Sequence, residues 1–186
     1  DGSESRSLSP HVTAQFALPR NGPPGVAATS YFSDYQNVRF VVLDGTSALD
    51  LGTLQAQTDW LEQTLKSSKA QWNIVVMHQP VYTCARPDDT EPLKAAWQPL
   101  LERYKVDLVL QGHDHCYSRL THAEGRQATR AAQQARQPIG PVYMVSVTGS
   151  KMYGLNDRAR HQPDRTAEDT QLYQTITVEQ NRLQVR

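Results

Sequence analysis

The sequence has few of the features that would define its class at once. Only two cysteines, Cys84 and Cys116, occur among 186 residues, and they fit no Cys-x-x-Cys zinc pattern. A disulfide between them is one alternative, but nothing in their spacing demands it, and we expect free thiols. The formal net charge is zero, which gives no electrostatic reason to expect a nucleic acid partner. No apolar run approaches the roughly 18 residues of a membrane-spanning helix. What remains is the composition of a globular domain, with 38% hydrophobic residues.

The N-terminus also lacks two common features. The segment DGSESRSLSP has no initiator methionine and no apolar core of the kind that signal peptides contain. We interpret it as a mature or cut end. The length corresponds to about one domain.

Hairpins are predicted near both ends of the chain. Each consists of two runs rich in aromatic and β-branched residues around a short polar turn, at 29–35 with 38–44 and at 171–178 with 182–186. The first 30 residues are rich in proline and glycine, which predicts an irregular arm.

The middle of the chain alternates between helical and strand patterns. Residues 53–66 carry one helical face, with Thr53 as N-cap, and residues 93–104 carry another, which we expect Pro99 to break. Short apolar runs typical of buried strands are WNIVVM, VDLVLQ and VYMVSV. Residues 121–138 suit a surface helix or a long loop, and 154–169 look irregular. The alternation predicts an α/β domain with a mixed β-sheet and flanking helices.

Three of the six histidines follow predicted strands. His78 comes directly after one buried run, and His113 and His115 follow the next run and Gly112. Because functional groups gather outside the carboxyl ends of strands in α/β sheets, we expect the three imidazoles to meet at one rim and bind metal ions. Gly112 would let the backbone turn sharply there. The other histidines lie in polar segments, where we expect them to be solvated: His11, His122 and His161.

Charged residues near these histidines leave alternatives open. Asp114 either orients an imidazole as a hydrogen-bond acceptor or is a turn residue that points at water. Four basic residues either line an anionic pocket or belong to a solvated face: Arg119, Arg126, Arg130 and Lys151. Arg119 and Asp114 are therefore our candidates for contact with the substrate or with the metal ligands.

Two motifs resemble a known family. VVMHQP (75–80) and GHDHCYSR (112–119) are similar to the last two metal motifs, Val-x-x-His and Gly-His-x-His, of the calcineurin-like metallophosphoesterases, and most of all to the purple acid phosphatase branch. The segments YFSDYQNVRFVVLD, DWLEQTL and GPVYMVSVTGSKMY resemble that family in the same order. The resemblance implies a four-layer α/β/β/α sandwich, of which this chain would supply one mixed sheet and its helices.

The sequence departs from the family in its first motifs. No Gly-Asp and no Asn-His dipeptide occurs, although the second and third of the family's five motifs, Gly-Asp-x-x-Tyr and Gly-Asn-His-Asp/Glu, contain them. The resemblance therefore implies that residues 1–186 are the C-terminal part of a single catalytic domain. The bridging aspartate, the asparagine ligand and the catalytic histidine of the family would lie outside this chain, so no catalytic residue is assigned within it.

The resemblance also implies a reaction. Two divalent or trivalent metal ions (iron, zinc, manganese or similar) would activate a hydroxide that hydrolyses a phosphate ester. His78 and His113 would bind one ion and His115 the other. This chain alone would hold at most a partial site and would be inactive, and its partner would be the N-terminal part of the same domain or a second copy of itself. The family also implies a secreted or periplasmic location.

Two other functions fit the same residues. One is a mononuclear zinc hydrolase, in which His78, His113 and His115 bind a single ion with a water in the open position. The other is a non-catalytic binding module, a degenerate relative that keeps the sheet without the chemistry.

Overall fold

The computed structural model describes residues 10–121, 141–161 and 164–186. Four helices and nine strands occur in these ranges. The helices are α1 (Pro10–Gln15), α2 (Gly45–Asp50), α3 (Leu54–Lys66) and α4 (Glu91–Arg103). The strands are β1 (Tyr31–Tyr35), β2 (Val38–Leu43), β3 (Trp72–Met77), β4 (Leu108–Gln111), β5 (Tyr117–Thr121), β6 (Val142–Val145), β7 (Arg165–Ala167), β8 (Ile176–Glu179) and β9 (Arg182–Val185). No helix in these ranges is long and apolar enough to cross a bilayer.

Seven strands form one mixed sheet, as predicted. Its order is β1-β2-β3-β4-β6-β5-β7, and β8 and β9 form a separate hairpin. The four central strands β2, β3, β4 and β6 are parallel, whereas β1, β5 and β7 pair antiparallel at the two sides. The central strands therefore end at one common rim, which is where functional groups of α/β sheets gather.

The predicted hairpins are confirmed, and the first one shows why its turn works. Gln36 and Asn37 connect β1 to β2 and both have positive φ, 44° and 67°. Two consecutive left-handed residues give the type I′ turn, whose twist matches that of paired strands. Asparagine tolerates this conformation better than most residues do, so the sequence and the turn agree.

One face of the sheet is covered by α3 and α4. The Trp97 indole is fully buried on α4 and donates a hydrogen bond to Thr58 Oγ1 of α3 at 3.1 Å. The core between the helices and this face contains Leu61, Leu65, Leu93, Trp97 and Leu101 against Val41, Val75 and Val109. At about 25 cal/mol per Å² of apolar surface, this layer supplies most of the stabilisation that holds the helices on the sheet.

Pro99 does not break α4, contrary to our expectation. The helix runs through it without interruption. Proline lacks the N–H that would bond to the carbonyl of Ala95, four residues earlier. Both Pro99 and Ala95 lie on the exposed side of the helix, so water can satisfy that carbonyl. Burial of Trp97 and Leu101 on the opposite side keeps the helix in place.

The opposite face of the sheet is only partly covered. Leu183 and Val185 of the terminal hairpin pack on it. Beneath them Val38, Ile74, Leu108 and Met144 are buried, whereas Phe40, Val42, Val76 and Leu110 remain half-buried. We call these last four residues the open apolar face. The chain therefore covers one end of this face with its own terminal hairpin.

Other details differ from the sequence prediction. The arm contains a short helix, α1, and residues 154–169 contain the edge strand β7. Helix α2 was not predicted; Asp44 caps it by accepting a hydrogen bond from Ser47 N at 2.9 Å. The predicted helix or loop at 121–138 lies almost wholly outside the described residues.

Candidate metal centre

Two of the predicted histidines lie at the ends of neighbouring strands. Strands β3 and β4 are parallel, with Ile74 opposite Leu108. His78 directly follows β3, and His113 follows β4 after one glycine. The amide of Gly112 donates a hydrogen bond to the carbonyl of His78 at 2.9 Å, which ties the two strand ends together. The parallel pairing is thus what brings the imidazoles to one rim.

The two imidazoles face each other through one nitrogen each. His78 Nε2 and His113 Nδ1 are 3.2 Å apart, and the rings meet edge to face at an angle of 80°. Two nitrogens on one tetrahedral ion, with bonds of about 2.0–2.1 Å, lie about 3.3 Å apart. The spacing and the chemistry of this donor pair therefore fit a single borderline cation such as zinc or iron.

The far side of His113 contacts an arginine that the sequence analysis did not single out. Arg86 Nε donates to His113 Nε2 at 3.1 Å. Burial lowers the pKa of His113, and the positive charge of Arg86 and the nearby His78 lower it further. A depressed pKa favours the neutral imidazole, which is the form that binds metals.

His115 makes its contacts with a different loop from the other two histidines. Its Nδ1 lies 3.0 Å from the carbonyl oxygen of Lys151, and its ring stacks on Tyr153 with 4.9 Å between centroids. Within the ranges described above, the one set of three metal-binding side chains whose ligand atoms all lie within 4.8 Å is Cys84, Asp114 and Cys116. The three histidines thus share the rim but do not surround a single point.

The sharp turn at the rim is made by histidines and not by the glycine. His113 and His115 have positive φ of 70° and 51°. Gly112 is not among the glycines with positive φ, which are Gly25 and Gly52 in the part of the chain that the structure describes. Left-handed conformations strain residues with a Cβ atom and cluster at functional sites. The expectation that Gly112 makes this turn is therefore corrected.

Asp114 is buried, and its role matches neither of the two alternatives. It is 0% exposed, and its Oδ2 accepts hydrogen bonds from the amides of Cys84 at 2.6 Å and Ala85 at 3.0 Å. Its Oδ1 has no hydrogen-bond partner, and Arg86 Nε lies 3.8 Å from it. Asp114 therefore holds the backbone of the loop after β3, and it neither orients an imidazole nor points at water.

The expectation of free thiols is wrong. Cys84 and Cys116 form a disulfide with their Cα atoms 6.3 Å apart, and both residues are buried. The bond joins the loop after β3 to the residue that follows His115. The strand ends that bring the histidines to the rim also bring the two cysteines together, although their spacing in the sequence does not demand a disulfide.

The remaining candidates have other contacts. Arg119 lies opposite Met144 in the pairing of β5 with β6, and therefore on the same sheet face as that buried methionine. Lys151 is exposed, with its Nζ 5.2 Å from the Tyr153 centroid. His11 and His161 are exposed, as expected for solvated residues. Three candidates lie outside the described residues: His122, Arg126 and Arg130.

A cleft of about 500 Å³ opens beside His78. It runs along the ends of β2, β3 and β4, and its lining includes Asp44, Thr46 and Gly112. Gln111, also in the lining, is 7% exposed, and neither of its amide atoms has a hydrogen-bond partner. Arg86, Gln111 and Tyr153 were missed in the sequence, because a single polar residue in a loop or at a strand end gives no pattern.

With this geometry established, comparison with known proteins identifies the class. The calcineurin-like phosphoesterase family profile matches residues 12–117, more than half of the chain, so this protein belongs to that family. Its relatives include purple acid phosphatase 15 of Arabidopsis thaliana, 31% identical over 139 residues, which cover 72% of this chain and 24% of that protein. Another is the phosphoenolpyruvate phosphatase of Allium cepa, 32% identical over 130 residues, 64% of this chain and 27% of the relative.

Solved structures agree on the fold. The purple acid phosphatase PPD1 of yellow lupin superimposes with a TM-score of 0.54 at 19% identity, over 83% of this chain and 28% of that one. GAP50, described as the anchor in the inner membrane complex of Plasmodium, gives a TM-score of 0.56 at 18% identity, over 76% of this chain and 44% of its own. The α/β fold with a mixed sheet and flanking helices is thus confirmed. The chain spans about a quarter of the length of the two curated relatives named above.

Proposed function

We propose that this chain is part of a metal-dependent phosphoesterase of the purple acid phosphatase type, which hydrolyses phosphate esters. One observation carries the proposal. In a member of this family, His78 Nε2 and His113 Nδ1 face each other at 3.2 Å at the ends of two neighbouring parallel strands. Structural histidines at strand ends usually bond to the backbone, whereas these two present ring nitrogens to one point.

His78 and His113 would hold one ion, and His115 would hold the second ion of a dinuclear centre. Bound ions of this kind lower the pKa of a water molecule and polarise phosphoryl oxygens. Imidazole suits iron, zinc and manganese to different degrees, and borderline ions best. Tyr153 and the carbonyl of Lys151 fix the His115 ring, so that its Nε2 is the nitrogen left for an ion.

The loop after β3 would carry residues that face the substrate. Its backbone is held by Asp114 Oδ2 and by the disulfide at Cys84. Catalytic phosphoryl transfer depends mainly on positioning and on charge stabilisation, so a loop fixed at two points suits this role. The disulfide also supports our proposal of a secreted or periplasmic location, because disulfides persist in oxidising compartments.

Completion of the centre would require a further part of the domain. The chain covers 24% of purple acid phosphatase 15, and it lacks the Gly-Asp and Asn-His motifs that supply the bridging aspartate and the asparagine ligand in the family. We propose that the N-terminal part of the same domain, or failing that a second copy of this chain, covers the open apolar face. Because about 25 cal/mol is gained per Å² of apolar surface covered, such a face gains strongly from a partner.

The mononuclear alternative receives less support from the geometry. A three-histidine zinc site needs all three ligand nitrogens within one coordination sphere. His115 instead contacts Lys151 and Tyr153, and the ligand nitrogens of the three histidines do not all lie within 4.8 Å of one another. The non-catalytic alternative differs from our proposal in one measurable respect, since a degenerate module has no reason to bind cations at the histidine pair.

Titration of the chelator-treated chain with Zn²⁺, followed by NMR of the histidine rings, tests the proposal. We expect one weak site that His78→Ala and His113→Ala each abolish. His161→Ala is the matched control, because this histidine is exposed and far along the chain from the pair. Binding that persists unchanged in both pair variants, or no binding at all, would reject the proposed centre.

A further inference from the structure

Arg86 makes a contact that conflicts with metal binding at the histidine pair. Its Nε donates to His113 Nε2 at 3.1 Å. Arginine keeps all its N–H protons in proteins, so Nε can only be a donor here. His113 Nε2 must therefore be the ring nitrogen without a proton. In neutral imidazole the proton then resides on Nδ1, the nitrogen that faces His78.

The same tautomer explains the contact between the two histidines. With the proton on Nδ1, His113 donates to His78 Nε2 across the 3.2 Å between them. Arg86, His113 and His78 thus form a chain in which each group donates to the next. This chain gives a partner to both ring nitrogens of His113 and to Nε2 of His78 as long as no ion is bound.

Ligation of an ion by His113 Nδ1 would require the other tautomer. Nδ1 must offer its lone pair, so the ring proton moves to Nε2. Two N–H donors, Arg86 Nε and His113 Nε2, would then face each other at hydrogen-bond distance, which is repulsive. Arg86 would have to move before His113 could act as a ligand.

A second acceptor for Arg86 lies within reach. Asp114 Oδ1 is 3.8 Å from Arg86 Nε, is fully buried and has no hydrogen-bond partner. The Tyr153 ring lies 5.7 Å from the guanidinium carbon and offers its face to the cation. The backbone of Arg86 is held in place, because its carbonyl accepts from Asn156 Nδ2 at 2.6 Å. A small rotation of the side chain alone would exchange His113 for Asp114.

We propose that Arg86 is a positioning residue that locks His113 in its Nδ1–H tautomer, and that Arg86 is displaced towards Asp114 when the histidine pair takes up a cation. This inference rests on the proposed metal centre. In this inference Arg86 lowers the metal affinity of the histidine pair, because ion binding must first break the hydrogen bond from Arg86 Nε to His113 Nε2. Charge-assisted hydrogen bonds are strong enough to weaken binding by about tenfold or more.

The first test reads the tautomer without metal. Long-range ¹H–¹⁵N NMR of the chelator-treated chain, above the ordinary imidazole pKa of about 6.5, distinguishes a protonated Nδ1 from a protonated Nε2. We expect the Nδ1–H tautomer of His113 in the wild type and a shift towards Nε2–H in Arg86→Lys, which places a methylene where Arg86 has Nε. An Nε2–H tautomer in the wild type would overturn the lock.

The second test measures Zn²⁺ affinity. We expect Arg86→Lys and Arg86→Gln to bind Zn²⁺ about tenfold or more tightly than the wild type. Lysine keeps the positive charge, and glutamine places an amide at the position of Nε that can donate or accept. Lys69→Met is the control for loss of a positive charge, since Lys69 is exposed and lies before the start of β3, at the opposite end of that strand from His78. We expect little change in this variant.

The outcomes separate the inference from the proposed function. Equal Zn²⁺ affinity in the wild type and Arg86→Lys would overturn the inference, and so would a gain in Lys69→Met that matches the gain in Arg86→Gln. Binding that His78→Ala abolishes, with no effect of Arg86, would keep the proposed centre and reject the displacement. Absence of Zn²⁺ binding in every variant would overturn both.

Discussion

Asp114 Oδ2 lies 2.6 Å from the amide nitrogen of Cys84, thirty residues earlier in the chain. The carboxylate also accepts from the next amide, that of Ala85, at 3.0 Å. One buried side chain between the two rim histidines thus satisfies two backbone donors of the neighbouring loop. Buried amides without an acceptor are costly, so this carboxylate decides the shape of the loop.

Removal of this acceptor should destabilise the protein. We expect Asp114→Ala to lower the free energy of unfolding by about 2–4 kcal/mol, because the buried N–H of Cys84 and the half-buried N–H of Ala85 lose their partner. Asp114→Asn keeps one carbonyl oxygen and should cost less. Urea denaturation measures both, with exposed Asp157→Ala as the control. Wild-type stability in Asp114→Ala would show that water replaces the carboxylate.

The disulfide should be present without any added oxidant. We expect thiol titration under denaturing conditions to detect no thiol in the native protein and two after reduction. Because the bond closes a loop with a sequence separation of 32 residues, Cys84→Ser with Cys116→Ser should lower stability by about 3 kcal/mol. Two reactive thiols before reduction would contradict the structure.

Acid should weaken the contact between Asp34 and Arg39. Two hydrogen bonds of 2.7 Å join them, and the hydrogen bond to Arg39 lowers the pKa of Asp34. The stabilisation is therefore fully present above the unfolded pKa of about 3.9 and is lost as the pH falls through the folded pKa. Because the Asp34 side chain is 52% exposed, we expect less than about 1 kcal/mol.

In Asp34→Asn the free energy of unfolding, measured by urea denaturation at several pH values, should therefore fall less steeply as the pH is lowered. Asp50→Asn is the control, since this aspartate is exposed. If the free energy of unfolding of Asp34→Asn depends on acidic pH as strongly as that of the wild type, solvent screens the pair completely.

The isolated chain should not turn over substrate. We expect it to hydrolyse p-nitrophenyl phosphate no faster than buffer that contains the same metal, because three histidines lack the bridging carboxylate of a two-metal centre. Metal-dependent turnover that survives repurification and disappears in His113→Ala would refute our account of an incomplete centre.

The open apolar face should bind a hydrophobic dye or a second copy of the chain. Val76 and Leu110 lie on this face, half-buried. We expect Val76→Thr with Leu110→Gln to reduce dye fluorescence and self-association, whereas Val178→Thr on the terminal hairpin should change neither. A monomer at high concentration that binds no dye would mean that the sheet needs no partner.

Much of the sheet could be predicted because its signals are local. A run such as WNIVVM is apolar on both faces, and a turn such as Gln36-Asn37 suits positive φ, so strand and hairpin follow from neighbouring residues. Strand β7 could not be found in this way. Its three residues, Arg165–Ala167, are polar or small, and they pair because β5 offers a free edge.

The candidate metal centre, like the sheet, could be predicted from the sequence only where the signals are local. His78 and His113 were predicted because each directly follows a strong strand signal. The direction of His115 depends on the carbonyl of Lys151 and the ring of Tyr153, which lie more than thirty residues further along the chain. Such contacts are set by the path of a loop, and no periodicity or spacing encodes that path.

The parallel pairing of β3 with β4 also determines when the histidine pair can form. His78 and His113 are 35 residues apart, and the chain between them includes all of α4. Parallel strands joined by a long crossover pair late in folding, because the entropy cost of closing the loop is incurred before the stabilising contacts between the strands form. Metal ions should therefore leave the refolding rate unchanged and slow unfolding, which would make the bound cation a kinetic clamp on the finished sheet.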